Sequence, residues 1–139
     1  MPESLNHTQL LARLLRYVQH TFEADHNAVI LHDLPSAIGC EKPPMIDGFR
    51  PDLYASNGSL QTVIIGEAKT SKDLETAHSW EQYRAYARHL ATCAHPMFIL
   101  AVPWALRVRA KTLMRLASEE VGASGIVRVV IDDIQELQR

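Results

Sequence analysis

Cysteine is nearly missing from these 139 residues: there are two, Cys40 and Cys93. Two are too few for a disulfide framework or a zinc site, so both are expected as reduced thiols. Long apolar runs are missing as well. No stretch reaches the roughly 18–20 residues that span a bilayer. Met1-Pro2-Glu3-Ser4 has neither the positive region nor the apolar stretch of a secretory signal. The expectation is a cytoplasmic chain without membrane association. An excess of one charge sign is also lacking. The formal net charge is −2, which argues against a protein that coats nucleic acid through bulk charge. It leaves room for one that cleaves it, because cleavage needs carboxylates and only a local basic patch. There is no repeat, low-complexity tract or linker, and the length suits one domain rather than two. Residues 1–139 are therefore expected as a single domain.

What is present is close to the globular average: 47% hydrophobic and 22% charged residues, which sets aside disorder, collagen and coiled coil. Leu10, Leu11, Leu14, Leu15 and Val18 recur at spacings of three and four, predicting a helix over 5–22 capped by Ser4 or Asn6. Residues 28–31 are a short apolar run and read as a buried strand. Residues 35–49 carry Gly39, Pro43, Pro44 and Gly48 and read as irregular; loops of that length are often functional. Asn57-Gly58 between 52–55 and 61–67 signals a β-hairpin. Then follow a helix over 73–90 with Asp73 as cap, a strand over 97–102 stopped by Pro103, a helix over 104–121 ended by Gly122, a strand over 125–131 and a short helix over 132–138. A hairpin followed by β-α-β-α-β implies an α/β fold, a mixed central sheet with helices on both faces.

Two short pieces carry chemistry. Arg50-Pro51-Asp52 opens one strand of the hairpin, and Glu67-Ala68-Lys69 closes the other. Period-two alternation puts Glu67 and Lys69 on one face. Charges at the end of a run as apolar as Val63-Ile64-Ile65 are costly unless paired or bound to a metal. A strict two-residue turn at Asn57-Gly58 would set Asp52 opposite Val63. Its face would be right, but it would lie ~13 Å from Glu67 at ~3.3 Å per residue. A wider loop, from about Asn57 to Thr62, brings Asp52 opposite Glu67 and keeps the parity. The wider loop is the expectation, because two carboxylates need a short separation to share a cation.

Pro51-Asp52 followed by Glu67-Ala68-Lys69 resembles the signature of the PD-(D/E)XK nuclease superfamily, which includes restriction endonucleases, archaeal Holliday-junction resolvases and the nuclease domains of recombination helicase–nucleases. Gln82-Tyr83-Arg84-Ala85-Tyr86 is similar to the Q-x-x-x-Y motif of the recombination branch. The resemblance covers about residues 5–102. It implies a restriction-endonuclease-like αβββαβ core, here with a further helix and strand. It also implies a divalent-metal-dependent nuclease hydrolysing phosphodiester bonds, DNA rather than RNA being the expected substrate, and a homodimer or larger partner. Hard oxygen ligands suit Mg²⁺ or Mn²⁺: Asp52, Glu67 and the main-chain carbonyl of Ala68. Lys69 would orient the attacking water and offset charge on the phosphate. Gln82 and Tyr86 would hold the DNA backbone or the Lys69 side chain. Members of the family often add an acidic residue on the first helix; Glu3 and Glu23 are the choices here, and Glu3 has the better position.

Other residues are weighed against plainer roles. Lys72 directly follows the motif and is placed near substrate, whereas Asp73 is explained as a cap. Arg107, Lys111 and Arg115 form an i, i+4, i+8 stripe that could track phosphates or simply be a solvated face, and Arg84 and Arg88 could extend it. His78, Gln82, Tyr86 and His89 share one side of their helix, but a histidine metal site there lacks carboxylate partners. The alternative to a nuclease is an inactive nuclease-fold module that binds nucleic acid or a protein; a chance motif in an unrelated α/β domain is a third reading.

Overall fold

The computed structural model describes residues 5–34, 41–58 and 61–134. Helix α1 (Leu5–Thr21) is followed by strands β1 (Ala28–His32), β2 (Leu53–Asn57) and β3 (Thr62–Ala68), helix α2 (Ala77–Leu90), β4 (His95–Val102), a 3₁₀ turn (Trp104–Leu106), α3 (Arg107–Glu120) and β5 (Val127–Asp132). The five strands lie in sequence order in one sheet. β1, β2 and β3 pair antiparallel; β3, β4 and β5 run parallel. The fold is thus mixed α/β, a mixed sheet flanked by helices.

Strand alternation splits the core into two layers. Ile65, Phe98, Leu100 and Val102 face α2 and α3, meeting Tyr83, Tyr86, Leu90, Leu113 and Met114. Leu53, Ala55, Ile64, Ile99 and Ala101 face α1 and meet Leu10, Leu11, Leu14 and Val18, the stripe predicted from spacing. Leu14 is fully buried, and truncating such a leucine to alanine costs about 2–5 kcal/mol. Its contact explains Gly66 in the middle of β3. A Cβ there would lie 2.7 Å from Leu14 Cδ2, so the missing side chain lets α1 settle onto the sheet.

Several boundaries differ from expectation. The helix predicted from 73 begins at Ala77, and Thr76, not Asp73, is its cap, accepting from the Ser79 amide at 3.0 Å. Residues 71–75 form turns instead: Leu74 is drawn into the core, its carbonyl accepts from Tyr83 Oη at 2.7 Å, and the Asp73 carbonyl accepts from Ser79 Oγ at 2.5 Å. Tertiary anchoring here overrides helix propensity. The helix predicted from 104 is a 3₁₀ turn before α3 proper. Within the stretch read as irregular, Ile46 and Phe49 form a two-residue hairpin through Asp47 and Gly48, both at positive φ (53° and 86°). Asp-Gly is a preferred dipeptide for a turn of that hand. Ser4, Glu3, Cys40, Gly39 and most of the predicted last helix lie outside the described residues.

Candidate active site

Leu53 pairs with Gly66 and Asn57 with Thr62. The hairpin therefore has the wider loop, and the next pair outward is Asp52 and Glu67. Both carboxylates sit where β3, β4 and β5 end, at the edge that also receives the start of α1.

The pair is interlocked. The Asp52 amide donates to Glu67 Oε2 at 2.6 Å, and the Ala68 amide donates to Asp52 Oδ2 at 2.8 Å. Lys69 extends the β3–β4 ladder by one bond, its amide donating to the Ala101 carbonyl at 2.9 Å. Its Nζ lies 3.5 Å from Glu67 Oε1, donates to Gln82 Oε1 at 2.5 Å and stands 5.9 Å from the centre of the Tyr83 ring. Glu67, Lys69 and Gln82 are each under one-tenth exposed. Burial, and then the charge of Asp52, push the Glu67 carboxyl well above its ordinary value; Lys69 pulls the other way without cancelling them. Buried like charges of this kind are unusual outside functional sites.

A cleft of about 220 Å³ opens on this cluster, with Asp52, Glu67, Ala68 and Lys69 in its floor and Arg50, His78 and Gln82 around it. His7, in the first turn of α1, points Nε2 at Asp52 Oδ2 across 3.2 Å. Sequence reasoning missed His7 because it looked for a carboxylate on this helix. The usable signal was position: a polar side chain in the first turn of a helix whose apolar stripe docks on β3. Glu23, at the other end of α1, pairs with His20 at 3.1 Å, away from the cleft; Glu3 is outside the described residues.

Of the residues expected to touch nucleic acid, Tyr86 is corrected outright. It is fully buried, its ring packs edge-on against Phe98 at 6.2 Å, and its hydroxyl is enclosed. Burial raises its pKa, with Glu67 and Asp52 contributing. It is a wall of the core behind the site. Arg84 is held by Glu81 at 3.0 Å and Glu120 at 3.1 Å, and Arg107 faces buried Asp132 at 3.2 Å. Lys72 is exposed and is not part of the cleft lining, though its chain neighbour Asp73 is. Lys111 lies on the far flank, sharing a groove with Arg115 and Arg128. His89 bonds Tyr54 Oη at 3.2 Å, and the Cys93 thiol donates to the His89 carbonyl at 3.6 Å.

Among the described residues no three His, Cys, Asp or Glu side chains form a ready-made metal cage. Backbone amides take Asp52 Oδ2 and Glu67 Oε2, so a cation would approach Asp52 Oδ1 and Glu67 Oε1, the oxygen that faces Lys69 Nζ at 3.5 Å. Mg²⁺ suits that donor set, since it binds through one or two carboxylates and keeps several waters. A cation would also relieve the repulsion that raises Glu67. The residues present therefore fit the ion. Among the described residues no helix is long and apolar enough to cross a membrane. Comparison of the chain with protein-family models, curated proteins and solved structures finds no match.

Proposed function

We propose that the chain is a divalent-metal-dependent nuclease with a restriction-endonuclease-like core, acting on DNA. The observation that carries the reading is the interlocked pair of half-buried Asp52 and buried Glu67, with buried Lys69 beside it, at the floor of an open cleft. An acid–acid–lysine set is costly to bury, and phosphodiester hydrolysis has a use for each member.

Asp52, Glu67 and the Ala68 carbonyl would hold Mg²⁺ or Mn²⁺, which when bound acidifies a water and polarises the phosphate. Asp52 is aimed by the Ala68 amide and His7, and Glu67 by the Asp52 amide, so neither carboxylate has to reorganise when the substrate arrives. Lys69, steered by Gln82, places a positive charge and N–H donors over the reacting phosphate and orients the attacking water. A chain of 139 residues offers little surface for a duplex, so the reading includes a second copy or a larger partner.

The test is incubation of purified protein with Mg²⁺ or Mn²⁺ and linear, circular, branched and single-stranded DNA, and RNA. Metal-dependent cleavage abolished by EDTA is expected. Intact substrates throughout would overturn the nuclease and favour the binding module.

A further inference from the structure

The cleft has a problem that its floor cannot solve. Lys69 and a cation on Asp52 and Glu67 would meet the reacting phosphate alone, and the floor holds no further cationic side chain for the phosphates on either side of it. The grip on a polyanion has to come from the rim.

We infer that Arg50 and His78 form that grip, holding the backbone phosphate next to the one placed over Asp52 and Glu67. The inference rests on the nuclease reading of the cleft and adds the residues that hold its substrate. Both line the cleft and both are exposed. Five of the nine described arginines are tied to carboxylates: Arg84 to Glu81 and Glu120, Arg88 to Asp47, Arg107 to Asp132, Arg109 to Glu75, Arg115 to Glu119. Among the described residues no carboxylate lies within ion-pair distance of Arg50.

The rim is also built, not merely exposed. Phe49 is held by two backbone bonds to Ile46, at 2.6 and 2.9 Å, across the Asp47-Gly48 turn. Its ring meets that of His78 edge-on at 5.4 Å. Pro51, buried, fixes the chain on the other side of Arg50. One aromatic residue thus neighbours Arg50 in sequence and His78 in space, so that the guanidinium and the imidazole are presented together. A guanidinium matches two phosphate oxygens at once, and an imidazole N–H can donate to a third. The His78 ring and the backbone on both sides of Arg50 are set before binding, which reduces the ordering cost of the complex.

Binding is measured with a short fluorescein-labelled duplex, and with one of its strands alone, in Ca²⁺ to separate affinity from turnover; cleavage is measured in Mg²⁺. Arg50→Gln removes the guanidinium. His78→Phe keeps the ring contact with Phe49 and removes both nitrogens. Arg16→Gln, on an exposed arginine of α1 outside the cleft lining, is the control for net charge. Arg50→Gln and His78→Phe are expected to weaken binding about tenfold each, and Arg50→Gln to reduce the slope of log affinity against log salt by about 0.9 on the duplex. The Arg16→Gln protein should bind within twofold of wild type, by the ~0.5 kcal/mol bound on surface changes. Wild-type cleavage with unaltered affinity in both rim variants overturns the grip and leaves the nuclease standing. Rim-dependent binding with no cleavage by wild type sustains the grip and overturns the nuclease. No DNA binding by wild type, or equal losses in all three variants, overturns the grip.

Discussion

Two charged regions of this molecule look alike in sequence and differ in kind. The floor of the cleft buries Glu67, Lys69 and Gln82 beside a half-buried Asp52, and Glu67 is held above its ordinary pKa by burial and that neighbouring carboxylate. The outer side of α3 carries Lys111 and Arg115 in water, Arg115 leaning on Glu119 at 3.3 Å. The first arrangement costs stability, a cost that the proposed metal site would explain. The second is what a solvated helix face looks like, since exposed ion pairs contribute about 0–1 kcal/mol. Charge density alone did not separate them; burial and shared partners did.

The largest effect that would sharpen this contrast is on catalysis. Asp52→Asn and Lys69→Ala should each fold and lose cleavage by at least about a hundredfold, the scale for removing one group that meets developing charge. DNA binding should survive better, because phosphate contacts elsewhere remain. Cleavage at the wild-type rate in both folded proteins would assign the activity to another site or a contaminant.

Next is Gly66→Ala, which places a methyl group 2.7 Å from Leu14 Cδ2. Overpacking of this kind costs about 1–3 kcal/mol. Because α1 carries His7 to Asp52, thermal melting should fall and cleavage should fall with it. A lowered melting temperature with cleavage unchanged at a temperature where the variant is folded would detach α1 from the chemistry.

The register of the hairpin was legible once function was allowed to argue: strand parity left two loop lengths, and only the wider one set Asp52 against Glu67. The α1 stripe was legible because leucines repeating at three and four mark the buried face of an amphipathic helix. The start of α2 was not, because Leu74 and Asp73 leave the helix for tertiary bonds that no local pattern encodes. Tyr86 was misread for a related reason. It follows Gln82 by one helical turn, yet Gln82 reaches the cleft while the Tyr86 ring is stopped by Phe98. His7 was invisible because its partner is 45 residues away and became a neighbour only through the packing of α1 on β3.

A smaller effect is thermodynamic. The raised folded-state pKa of Glu67 means that, at pH between the ordinary carboxylate value and the folded one, the folded chain holds a proton that the unfolded chain has released. The sign follows: stability from this group is full below the ordinary carboxylate value and is lost as pH rises toward the folded value. Wild type should therefore lose stability as pH rises above about 4.5, and Glu67→Gln should flatten that part of the profile. At neutral pH, Mg²⁺ at ten times its dissociation constant should stabilise wild type by about 1.4 kcal/mol, or roughly 3–6 °C, and Asp52→Asn much less. A melting temperature indifferent to millimolar Mg²⁺ and Mn²⁺ would count against a cation at the pair.

The smallest expected effect belongs to the other side of the comparison. Lys111→Gln removes an exposed charge from the groove with Arg115 and Arg128. α2 packs over β3 and β4, and α3 over β4 and β5, so this groove is set off from the cleft by the width of a helix. Stability should change by less than about 0.5 kcal/mol, as for other solvated positions. Cleavage at moderate salt should change by less than about twofold, because a charge more than a Debye length of ~8–10 Å from the bound phosphates is largely screened. The informative result is a loss as large as that of Arg50→Gln, with a reduced salt slope. It would mean that the substrate runs from the cleft along α3, and that the solvated face is the second half of the binding surface.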